Sequence, residues 1–187
     1  AMSGRKGPVH IDLPADVQAA TIEAKIDPVG SYRTEGRHPI DLASVQTAAE
    51  LMLGAEKPAI LLGFGARSLD DAGQLIELAE RLGSPVATTL RAKGAFPEDH
   101  RLALGCVGLH GTKAANSYMR SGLDVLLALG TSFHEFTTHC WDEAFEPSKA
   151  LIQGDIDPDE IGKNYPVALS LVGDSGSVVD GLLEGIG

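Results

Sequence analysis

The sequence predicts an α/β domain, a doubly wound parallel sheet with helices on both faces. Three observations carry that reading. Runs at residues 59–62, 124–129, 150–153 and 168–172 are short and nearly all apolar, as strands covered on both faces are, and residues 86–89 read as a further strand. Stretches with a helical period lie between them, and strands alternating with helices imply right-handed crossovers between parallel neighbours. Gly, Asp and Ser cluster directly after the runs, which suits loops leaving the carboxyl ends of strands.

Taken in order, Val9, His10, Ile11, Asp12 and Leu13 alternate apolar with polar and stop at Pro14, the pattern of a short strand with no evident neighbour downstream. Residues 15–39 are polar, contain Pro28, Gly30, Gly36 and Pro39, and hold no sustained period, so they read as a linker over a surface. A compact domain is expected from about Asp41. Leu42, Val45, Ala49 and Met52 fall on one helical stripe ahead of Pro58 and the first strand. A second helix is expected over 69–82, with Ala72, Leu75, Ile76, Ala79 and Leu82 inward. Asp70 and Asp71 favour its positive N-terminus, and Gly83 closes it. Another helix is expected over 113–120. Asp157 before Pro158 reads as a helix start.

Composition excludes several classes of function. With 187 residues, 43% of them hydrophobic, one domain buries roughly 70% of the surface its unfolded chain exposes, so disorder is excluded. Fifteen Lys and Arg against 26 Asp and Glu leave a net charge of −11, which repels phosphate backbones; nucleic acid is not an expected partner. No apolar stretch reaches the roughly 18 to 20 residues of a membrane span, and the N-terminus lacks an apolar secretion segment. A cytoplasmic protein with no membrane contact is expected. Cys106 and Cys140 are too few for a disulfide framework and lack C-x-x-C spacing, so both read as buried, reduced thiols. Ala1 and Met2 read as the scar of a removed tag, and Ser3 onward as a stretch from the middle of a longer protein.

In a doubly wound sheet, ligands bind outside the carboxyl ends of the strands, so the loops there hold the candidate chemistry. Gly63-x-Gly65 sits between a strand and a helix, as a phosphate loop does, or else forms a tight turn; Ser68 stands where the dinucleotide fingerprint has its third glycine. No acidic residue ends the next strand, which disfavours ordinary NAD binding. Thr112 either donates to an anion at the following helix or caps that helix. Asp155, at a strand end, suits ribose hydroxyls. Arg91 and Lys93 either pair with a phosphate or are solvated charges. Gly130-Thr131-Ser132-Phe133-His134 lacks the closing glycine of a nucleophile elbow. His134, His139 and Cys140 lack a fourth ligand at familiar spacing, so no metal site is expected.

Seven blocks in order, GRKGPVHIDLPADV, KPAILLGFGA, ERLGSPVATTLRAKGAFPEDH, LALGCVGLHGTKAAN, DVLLALGTSF, DIDPDEIGKN and LVGD, resemble acetolactate synthase and its relatives among the thiamine diphosphate-dependent enzymes. The resemblance implies three domains in the parent, of which this chain holds the tail of the pyrimidine-binding domain (1–16), a linker (17–40) and the central domain (41–187). It implies a Rossmann-like, six-stranded central sheet. It also implies a transferase or lyase acting on 2-oxo acids, homodimeric or homotetrameric, whose thiamine diphosphate and Mg²⁺ are held by the flanking domains; the chain alone is then inactive, with no catalytic residue. Central domains of this family carry FAD, ADP or nothing. By motif, the cofactor contacts fall on Gly63, Gly65, Thr89, Leu90, Leu109, His110, Gly111, Thr112, Gly130, Asp155, Ile156 and Asp174. The family's usual Gly-x-Arg-Phe-Asp-Asp-Arg is here Gly130-Thr131-Ser132-Phe133-His134-Glu135-Phe136, without either arginine and with a carboxylate that repels a diphosphate if it points inward. One lost charge-assisted bond of about 1.5 to 3 kcal/mol weakens binding on the order of 10- to 100-fold, so ADP is expected to bind at least as well as FAD. The alternative is a ligand-free spacer that holds domains and subunits together.

Overall fold

The computed structural model describes residues 4–32, 38–68 and 72–187, and the chain divides into two compact units, 1–36 and 37–187. In the first unit the strand expected at 9–13 does not form. Val9, Ile11 and Leu13 are 64%, 79% and 55% exposed, and with no ladder partner the alternating pattern has nothing to pair with. The stretch expected to be structureless instead carries a one-turn helix α1 (Ala15–Ala19) and a 3-10 turn (Val29–Ser31).

The second unit holds strands β1 (Pro58–Leu62), β2 (Val86–Thr88), β3 (Ala103–Cys106), β4 (Val125–Leu129), β5 (Ala150–Asp155) and β6 (Leu169–Val172). They form one parallel sheet in the order β3-β2-β1-β4-β5-β6, the doubly wound topology expected. Its helices are α2 (Leu42–Leu53), α3 (Ala72–Leu82), α4 (Lys113–Met119) and α5 (Ser175–Gly185). Because successive side chains of a strand point to opposite faces, Ile60, Leu62, Leu127 and Leu129 pack with α2, α3 and α5 on one side. Leu61, Leu126 and Ala128 pack with α4 and with Phe133, Phe145 and Tyr165 on the other. Both faces are covered, which is why β1 and β4 are buried at every position and legible as apolar runs.

Two helix stripes differ in detail from the expected ones. Leu42 is exposed and Ala48 takes its place beside Val45, Ala49 and Met52, while Asp41 caps the helix by accepting from the Ala43 and Ser44 amides. In α3, Ala72 is exposed and Leu78 is buried with Leu75 and Ala79; the expected Leu69, Asp70 and Asp71 lie outside the described residues. The strand that the apolar runs did not announce is β3. It is an edge strand, paired only with β2, half-exposed along most of its length, and interrupted by Gly105 at φ +85°. Among the described residues no helix is long and apolar enough to cross a membrane.

Candidate functional site

The strand order reverses between β1 and β4, so the crevice above their carboxyl ends is the switch point at which such sheets bind ligands. Glycines form its base. Gly63 N donates to Leu129 O at 2.8 Å and Gly65 N to Gly130 O at 3.0 Å, which ties the loop after β1 to the loop after β4. A Cβ on Gly65 would stand 2.8 Å from Gly130 Cα, and one on Gly130 would stand 2.6 Å from Gly65 Cα, so neither position has room for one. Gly130 also sits at φ +62°, which only glycine adopts freely. Gly63-x-Gly65 is therefore a tight turn whose glycines serve backbone contact, and the 3-10 turn Phe64–Ser68 begins within it.

A cavity of about 370 Å³ opens at this seam, within the roughly 300 to 1,000 Å³ usual for small-molecule sites. Phe64 forms one wall, and Thr89, Leu90 and Arg91 after β2 another. His110 enters from the β3–α4 loop. Gly130, Thr131 and Ser132 close the side toward β4, with His134, Phe136 and Thr137 beyond them. Of the residues expected from sequence, Thr89, Leu90, His110 and Gly130 line the cavity. Gly63 and Gly65 lie behind Gly130. Leu109, Gly111 and Thr112 belong to the same loop as His110, and Leu109 N donates to Phe136 O at 2.9 Å, which joins two walls.

Thr112 acts as the cap: its hydroxyl accepts from Ala115 N at 3.1 Å and donates to Leu104 O at 2.8 Å. Asp155, Ile156 and Asp174 stand at the ends of β5 and β6 and are not among the residues lining the cavity. Asp155 Oδ1 accepts from Asp157 N at 3.0 Å, and Asp174 caps α5 by accepting from Gly176 N at 2.9 Å. Asp157 caps the 3-10 turn Pro158–Glu160, with proline in its first turn as expected. Lys93 pairs with Glu98 and Arg91 does not. Glu135 Oε1 accepts from Cys140 Sγ at 3.7 Å and does not line the cavity; Cys106 is buried as expected, but Cys140 is exposed, because it sits in the loop after β4 rather than in a strand. Among the described residues no group of three His, Cys, Asp or Glu side chains is placed to hold a metal.

Sequence reasoning missed Phe64 and Phe136 as walls, and it missed the residues that hold the Thr131–Ser132 wall in place. Gln153, buried in β5, donates from Nε2 to Thr131 O at 3.0 Å and to Glu160 O at 3.1 Å, and accepts from Gly162 N at 3.0 Å. Asn164 Nδ2 donates to Ser132 O at 2.7 Å. A lone amide inside the run Leu151-Ile152-Gln153 was the available signal, since a buried amide needs partners. Farther along the same loop, Phe133 stacks edge-on to Tyr165 at 5.2 Å, and burial raises the Tyr165 phenol above its ordinary pKa. Asp142 is held below the usual carboxylate range by the Ala144 amide and by Arg120.

Comparison with known proteins agrees with this architecture. Residues 45–182 match the family model described as the thiamine pyrophosphate enzyme central domain. A Methanocaldococcus jannaschii protein named as an acetolactate synthase large subunit is 44% identical over the whole of this chain, which covers 32% of that protein. The acetolactate synthase large subunit of Corynebacterium glutamicum is 39% identical over 98% of this chain, covering 29% of the relative. A solved structure described as a thiamin diphosphate-dependent enzyme from Mycobacterium smegmatis superposes with a TM-score of 0.64 at 28% identity, over 83% of this chain and 30% of that one. The chain thus spans about a third of the length of the relatives it matches. Over that third its sheet, its switch-point crevice and its sequence agree, and the chain belongs to the thiamine pyrophosphate enzymes as their central domain.

Proposed function

We propose that the parent is an acetolactate synthase-like transferase or lyase of 2-oxo acids, a homodimer or homotetramer in the cytoplasm, and that this chain supplies its nucleotide crevice. Residues 1–16 then belong to the preceding domain, 17–40 to a linker, and 41–187 to the central domain. Thiamine diphosphate with Mg²⁺ is carried by other parts of the parent, where it supplies an electron sink for a substrate carbanion. The ligand of this chain is FAD or ADP. The carrying observation is the cavity at the β1/β4 switch point, whose lining has aromatic walls and no carboxylate in a chain of net charge −11.

The chain's own residues bind and orient in this reading. Phe64, Leu90 and Phe136 exclude water from a flat ring, while the short side chains of Thr89, Thr131 and Ser132 offer hydrogen bonds at its edge. Asp155 and Asp174, across the switch point, take the ribose and adenosine end. Melting the chain with millimolar ADP, FAD or NAD tests this, because a ligand at 100 times its dissociation constant stabilises by about 2.7 kcal/mol. ADP and FAD are expected to raise the midpoint, ADP at least as much as FAD, and NAD to leave it unchanged. Asp155→Ala should weaken the response to ADP. A midpoint unmoved by both adenine nucleotides overturns the reading.

A further inference from the structure

The stretch that closes the cavity on the β4 side is framed by strained backbone. His134, Phe136 and Thr137 line the cavity. Phe133, just before them, sits at φ +49°, and His139, Cys140 and Trp141, just after, sit at φ +51°, +64° and +60°. Among the described residues these are the non-glycine positions with positive φ, and all fall in this one loop. Asp142 N donates to Thr138 O at 2.8 Å, so residues 139–141 form one turn of left-handed helix. Residues other than glycine are disfavoured there by about 5- to 30-fold in population each, and such backbone persists only where its surroundings over-determine it.

The outer side of each joint is firmly held. Phe133 is buried in an aromatic cluster with Phe145 and Tyr165. Thr138 is wholly buried, and its hydroxyl donates to His134 O at 3.2 Å and accepts from Trp141 N at 3.0 Å. Asp142 Oδ2 accepts from Arg120 Nη2 at 2.8 Å, and its carbonyl accepts from the Tyr165 hydroxyl at 3.1 Å. Between the joints the attachment is slight. His134, Glu135 and Phe136 are exposed, Phe136 by 63%. Among the described residues one hydrogen bond, from Leu109 N to Phe136 O at 2.9 Å, ties 134–137 to another loop.

We propose that 134–137 is a hinged flap of the cavity, jointed at Phe133 and at the left-handed turn 139–141, and that a ligand in the cavity releases the turn and brings the flap down. This regulates the site read above as a nucleotide crevice and rests on that reading. The arrangement seen leaves Phe136 in solvent and strain in the turn. Closure buries the Phe136 ring against the ligand and returns residues 139–141 to negative φ, which gives the ligand the differential affinity that a population shift requires.

Trp141, the one tryptophan of the chain, stands in the joint and is about half-exposed, so its fluorescence reports the turn. ADP, which does not absorb where tryptophan is excited, should change acrylamide quenching of Trp141 over the concentrations at which it raises the melting midpoint. Cys140, exposed in the middle of the turn, is the position at which to relieve or load the strain. Cys140→Gly should raise the midpoint of the free chain by about 2 to 4 °C and weaken ADP binding about 3- to 10-fold, because it favours the open flap. Cys140→Val, β-branched and strongly disfavoured at positive φ, should lower the midpoint and tighten binding. A turn with a merely structural role does not move stability and affinity in opposite directions. ADP binding with Trp141 quenching unchanged, or with both variants at the parent's affinity, overturns the flap and leaves the nucleotide reading. A Cys140→Gly chain no more stable than its parent overturns the flap whatever binds, because no strain is then stored. A midpoint unmoved by both ADP and FAD overturns the nucleotide reading and the flap with it.

Discussion

Asp124 shows how one side chain fixes the sheet at the edge opposite the cavity. It precedes β4 and accepts from Glu56 N at 2.7 Å and Lys57 N at 2.8 Å, ahead of β1, and from Lys149 Nζ at 2.9 Å, ahead of β5. Burial pushes its pKa up, but the bonds from Lys149 and the two amides outweigh burial and bring it down to about 2. A carboxyl depressed on folding stabilises above its unfolded pKa and loses that contribution as pH falls toward its folded value. The window here runs from about pH 4 down to about pH 2, and the shift is worth about 2 kcal/mol. Asp124→Asn should lower the melting midpoint at pH 7 by about 4 to 8 °C and flatten the acid limb between pH 4 and 2. A variant that melts like its parent at both pH values would show that the three donors are satisfied without the charge. Of the caps, Thr112 and Asp157 are readable from the sequence, because a short polar side chain ahead of a helical period or of proline has one local role; Asp41 and Asp174 are not, since the sequence marks the first only as the start of the domain and the second as a cofactor contact.

Among the elements, the glycine seam between the loops after β1 and β4 makes the strongest prediction. Backbone, which cannot rotate away, fills the space where a methyl group would stand on Gly63 or Gly130. Gly63→Ala and Gly130→Ala should each destabilise by about 3 kcal/mol or more, seen as a fall in urea midpoint with unchanged slope. Gly30→Ala, which meets open space, is the control. The seam also marks how far the sequence was legible. Strands covered on both faces announced themselves as apolar runs, but β3 did not, since an edge strand with Gly105 buries too little to need an unbroken run. The segment Val9 to Leu13 misled in the opposite direction, because alternation describes a strand only where a partner exists. The loops of the site were found from glycines and short polar residues at strand ends. Phe64 and Phe136 were not, because in sequence an exposed aromatic wall is indistinguishable from a core residue.

At the scale of the whole chain, residues 37–187 have their own sheet, two hydrophobic cores and their own helix caps, so a chain beginning at residue 37 should fold with a single cooperative transition. Calorimetry checks this by agreement of the calorimetric and van't Hoff enthalpies, and a gradual, non-cooperative melt would refute it. Titration with thiamine diphosphate and Mg²⁺ should release no binding heat, and pyruvate should not be consumed, if the coenzyme belongs to other parts of the parent. Micromolar binding would overturn that assignment. The position of Asp124 has one more consequence. Its staple joins the amino ends of β1, β4 and β5, whereas the cavity is built from loops at the carboxyl ends of the same sheet. Substitutions in the loops that choose a ligand leave that staple intact, so lineages of this fold are free to gain, exchange or abandon a bound nucleotide by drift at one rim while selection on folding acts at the other.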